Sequence, residues 1–115
     1  MTSHWRIFTD AKSEEKALRL YARLMRRTPI RSFEPPVVFA YPKGGYTVGF
    51  TLRHDTKDWP TLVFDVLCTA QRLGHGWHLT GFVADELDMW ATGCSVAGVS
   101  NVHVFSPGSA SQTGG

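Results

Sequence analysis

Cysteine, long apolar runs and catalytic or cofactor signatures are what this chain has least of. Its two cysteines, Cys68 and Cys94, have neither the number nor the close spacing of a disulfide framework or a zinc site, so two reduced thiols are expected. No stretch approaches the ~18 apolar residues of a membrane-spanning helix. The N-terminus MTSHWRIFTDAKSEEK lacks the basic-then-apolar order of a signal peptide, so a cytoplasmic protein without membrane contact is expected. The glycine pair Gly44-Gly45 falls between two β-prone runs and not at a strand-to-helix step, which removes a phosphate-cradling loop. No internal repeat is present, and no cofactor is expected.

Net charge is also small, at +2, but it is unevenly spread. Residues 1–57 hold eleven Lys/Arg and five Asp/Glu, whereas residues 58–115 hold one Arg and five Asp/Glu. A composition of 43% hydrophobic and 19% charged residues suits one globular domain with a core of its own, over residues 1–106. The uncharged ending PGSASQTGG, residues 107–115, reads as a disordered tail.

The strongest local signal is DWPTLVFDVLCTAQRLGHGWHL, from Asp58 to Leu79. Trp59, Leu62, Val63, Val66, Leu67, Ala70 and Leu73 recur at steps of three and four, as an amphipathic helix requires, while Thr61, Asp65, Thr69 and Arg72 lie off that stripe. Asp58 is placed to cap the helix, Pro60 to sit in its first turn, and Gly74 to end it in the left-handed conformation. Trp59 reads as a packing anchor and Cys68 as a small helix-flank residue. A strand over 78–84 follows, ending in the acidic turn Asp85-Glu86.

Upstream, residues 4–9 read as a strand, and a helix capped by Asp10 or Ser13 runs to about Arg27. Ala17, Leu18, Tyr21, Leu24 and Met25 form its apolar stripe. Glu15 precedes Arg19 by four residues in the favourable order for an ion pair. Thr28 and Pro29 close the helix, and an irregular connection runs to Pro36. Two β-prone runs, 37–41 and 46–53, flank the turn PKGG, with Tyr46, Val48, Phe50 and Leu52 on one face of the second run.

The resulting order over residues 4–84, βαββαβ, resembles the ferredoxin-like plait, an α+β fold with two helices on one face of an antiparallel sheet. Two further β-prone pieces, 87–93 and 99–105, are expected to lengthen that sheet at one edge or to fold over its open face. The RNA-recognition motif family shares this element order and reads bases with aromatics on the first and third strands. KGGYTVGF does not fit that family's glycine-aromatic signature, and Phe8 is the only stacking candidate that the two strands present.

Few residues here carry chemistry. His75 and His78 in GHGWH invite a metal, but no Cys-x-x-Cys or His-Glu-x-x-His accompanies them, and His4, His54 and His103 stand elsewhere. No catalytic or metal-binding set is assigned. Asp85, Glu86 and Asp88 form an acidic group, and Arg19, Arg23, Arg26 and Arg27 with Arg31 form a basic ridge on the first helix. The expectation is a non-enzymatic protein-binding domain, an inhibitor or immunity-type protein that masks a partner's active surface, with these eight residues as partner contacts. One alternative is nucleic-acid binding through the basic face of the first helix. The other is a small-ligand or metal-dependent plait enzyme. Self-association is compatible with any of these.

Overall fold

Alternation along the first strand sets the layers. In β1 (Thr2–Thr9), Ser3, Trp5, Ile7 and Thr9 are buried while His4 and Arg6 are exposed, so one sheet face carries the core and the other does not. The computed structural model describes residues 1–29 and 34–108. Its further elements are α1 (Glu14–Met25), β2 (Val37–Ala40), β3 (Tyr46–Arg53), α2 (Trp59–Leu73), β4 (Gly74–Thr80), β5 (Leu87–Cys94) and β6 (Val99–Ser106). Both helices pack on the Trp5 face, joining Val48, Phe50, Leu52, Met89, Val102 and Val104 in one core. No described helix is long and apolar enough to cross a membrane.

All six strands form one antiparallel sheet in the order β2-β3-β1-β6-β5-β4. The α+β class and the two helices on one face agree with the plait expectation, but the strand order fits that fold only loosely. β6, and not β4, lies against β1. The two C-terminal strands therefore neither extend an edge nor cover the open face; they stand between β1 and β4. Short turns make β4, β5 and β6 a meander, and β6 is the strand that returns to β1.

Both helix starts follow the sequence. The Ser13 side chain accepts from the Lys16 amide, the Asp58 carboxylate accepts from the Thr61 amide, and Pro60 occupies the first turn of α2. Gly74 departs from expectation: at φ −160° it is extended, and α2 passes directly into β4. Its glycine is required for closeness instead, because a Cβ there would stand 2.8 Å from the Gly93 carbonyl oxygen. Starting at Gly74 moves β4 four residues earlier than the spacing predicts and leaves 81–86 as the turn to β5.

Three side chains are also reassigned. Leu18 is exposed and Leu20 turns inward instead, against Gly98 of the β5–β6 turn. Thr69 is buried, its hydroxyl donating to the Asp65 carbonyl as helix back-bonding allows. Cys68 is exposed, while half-buried Cys94 points its thiol at the Leu73 carbonyl; both thiols are free. Trp59 is a packing anchor as expected, with its indole N–H donating to the Val83 carbonyl at 2.6 Å. At the hairpin, Gly44 and Gly45 both take positive φ, as the turn requires.

Candidate functional site

The open face of the sheet carries a row of rings assembled from four places in the chain. Phe8 of β1 meets Tyr41, just past β2, edge-on at 5.4 Å, and stacks with Trp90 of β5 at 5.7 Å. Trp90 in turn stacks on the His103 ring of β6 at 4.1 Å and 20°. His103 Nε2 lies 2.6 Å from the Asp88 carboxylate, which fixes the imidazole over the indole. Trp90 and Tyr41 are both 37% exposed and Phe39 45%, so the row is open to solvent and continues onto β2.

Register explains the row. Trp90 pairs with His103, and Arg6 pairs with His103 on one side and Gly49 on the other, so these positions lie side by side on one face. Gly49 has no side chain to fill its place between Arg6 and Val37, and a shallow depression of about 230 Å³ opens beside His4, Arg6 and Phe39. Thr47, paired with Phe8 and with Phe39, is fully buried, and its hydroxyl has no partner among the described residues.

A second constellation lies inside. Ser3 Oγ is 2.5 Å from His54 Nε2, and His54 Nδ1 is 2.5 Å from Asp65 Oδ2. The Trp5 indole N–H donates to Ser3 Oγ at 2.7 Å. The Asp65 carboxylate only accepts, so the neutral imidazole carries its N–H on Nδ1 toward Asp65 and its bare Nε2 accepts from the Ser3 hydroxyl. The order Ser-His-Asp is that of an activated nucleophile. Here Ser3 is fully buried and faces the core, so the relay joins β1, the β3–α2 connection and α2 with the Ser3 hydroxyl closed to a substrate, while the Asp65 carboxylate is partly exposed. Burial pushes the His54 imidazole below its ordinary pKa, and Asp65 opposes that shift.

Of the residues singled out from sequence, Arg19 and Arg23 are exposed on α1, Arg26 and Arg27 are exposed just past its end at Met25, two residues short of the expected end, and Arg19 is paired with Glu15 at 2.5 Å. Arg31 lies outside the described residues. Asp85 and Glu86 sit in the β4–β5 turn, whereas Asp88 is engaged with His103 on the open face, so the three acids do not act as one group. His75 and His78 both fall within β4. Among the described residues no group of three His, Cys, Asp or Glu is placed to hold a metal ion.

Sequence reasoning found Phe8 but missed its companions. The alternation of Leu87, Met89 and Ala91 against Asp88, Trp90 and Thr92 assigns Trp90 to the uncovered face, and that of Val102 and Val104 does the same for His103. Their meeting with Phe8 depends on β6 lying beside β1, for which the alternation carries no signal. Comparison with protein-family models, curated proteins and solved structures gives no match.

Proposed function

We propose that this chain is a non-enzymatic binding domain that seats a partner protein on its open sheet face, as an inhibitor or immunity-type protein would. The observation that carries the reading is the ring row Tyr41–Phe8–Trp90–His103 on a face that neither helix covers. Exposed contiguous aromatics are the usual anchors of protein interfaces, and rings already stacked on one another lose little side-chain freedom on binding. The depression over Gly49 gives an apolar side chain of the partner a seat beside the row. Arg6 and Glu34 both border it, so its rim carries charge of both signs.

The test is affinity capture from the native lysate, followed by titration of the purified partner against wild type, the Phe8→Ala plus Trp90→Ala variant, and an Arg23→Glu plus Arg26→Glu control. A one-to-one partner is expected, bound at least 30-fold more weakly by the ring variant, about 2 kcal/mol, and unaffected by the control. A partner retained by a folded ring variant defeats the reading. Sedimentation of the free protein separates a heterologous partner from face-to-face self-association.

A further inference from the structure

On the other side of the sheet, the basic ridge of α1 forms one wall of a continuous groove. Its opposite wall is the turn 95–98 between β5 and β6, held in place where the Asp10 amide donates to the Gly98 carbonyl at 3.0 Å and Leu20 packs against Gly98. Two adjoining crevices, of about 520 and 370 Å³, share Arg23 and Ala97. Between them they are lined by Lys12, Lys16, Arg19, Arg23, Arg26 and Arg27, six cations against the single carboxylate of Asp10. Among the described residues, Arg19 is the one of the six with an ion-pair partner.

We propose that this groove binds the phosphodiester backbone of a nucleic acid, independently of the open sheet face. The turn wall carries only Ser95, Val96, Ala97 and Gly98, with no ring and no carboxylate. Arginine can anchor an acidic protein as well as a phosphate, but a groove whose opposite wall adds no ring is matched more closely by phosphates, which need only charge and donors at a suitable spacing. The 12 residues of α1 extend ~18 Å at ~1.5 Å per residue, the span of about five phosphates on one strand at ~3.4 Å each. Contacts to phosphate carry no sequence information directly, so binding through them is independent of base sequence.

Fluorescence anisotropy with a labelled 20-nucleotide poly(dT) and a 20-base-pair mixed duplex tests this. Neutralising four or five phosphates predicts a loss of affinity between 50 and 200 mM salt of roughly 50- to 130-fold for the single strand and roughly 150- to 500-fold for the duplex. Arg23→Glu plus Arg26→Glu should weaken binding at least tenfold and flatten the salt dependence, with the melting temperature unchanged because both side chains are exposed. Arg23→Lys plus Arg26→Lys should keep the salt slope. Absent or salt-independent binding at 50 mM overturns the proposal. So does tighter binding of a poly-glutamate of matched charge, which would assign the groove to acidic protein. An equal loss in Phe8→Ala plus Trp90→Ala, with the arginines intact, would place the nucleic acid on the open face and overturn the groove as its site.

Discussion

Buried polar residues at single positions govern how this protein answers to pH. His54 is enclosed with its ring bonded to Ser3 and Asp65, and its folded pKa lies below the unfolded value of 6.5. As pH falls below 6.5 the unfolded chain takes up this proton before the folded chain does, so stability declines down to the folded pKa and levels off below it. Urea unfolding at pH 7.5 and at successively lower values should show that decline. His54→Gln should remove this histidine's share of it. A wild-type profile parallel to that of His54→Gln would deny the relay any role in acid sensitivity. The sequence shows His54 only as one of five histidines; its significance comes from Ser3, 51 positions away, and from Trp5.

At the level of elements, the passage from α2 to β4 is the most constrained junction. Gly74 is buried in the first position of β4, opposite Cys94, with the Gly93 oxygen where a side chain would begin. Gly74→Ala should therefore cost about 2 kcal/mol or more, with the strain falling on backbone that cannot yield. Gly44→Ala, with open space around it and only its positive φ to strain, should cost about 1 kcal/mol. Denaturant midpoints of the two variants compare them directly, and equal losses would contradict the close-approach account. The caps, the Glu15–Arg19 pair and the hairpin turn are legible in the sequence because each is settled within four residues. Gly74 is misread because a helix-ending glycine and a close-packed strand glycine have the same local signature.

For the whole molecule, the meander is indispensable. Seven of the twenty buried apolar residues among the described ones lie beyond Ala84, including Met89, Val102 and Val104 at zero exposure. At roughly 1.5–3 kcal/mol for each larger side chain, their loss removes ~10 kcal/mol gross, comparable with the 5–15 kcal/mol of net stability typical of a domain. A chain ending at Ala84, which keeps every element of the βαββαβ order, should thus be unfolded by near-ultraviolet dichroism and amide dispersion. A cooperative thermal transition in that fragment would contradict the inserted-meander account.

What the sequence determined by itself was local and periodic: the two N-capped helices, the six strands within a few residues of their observed places, the apolar face of β3, and the basic ridge of α1. Such features follow from hydrogen bonds and side-chain alternation within a few residues, so one stretch of chain suffices to specify them. Which strands are neighbours was decided only in three dimensions. β6 displaced β4 from the side of β1 because the short-turn meander folds back as a unit, and that long-range pairing alone brought Trp90 and His103 to Phe8. The same folding set the 95–98 turn against the arginine ridge and Ser3 against His54. Both candidate surfaces and the buried relay thus depend on contacts between distant positions, which no periodicity along the chain encodes.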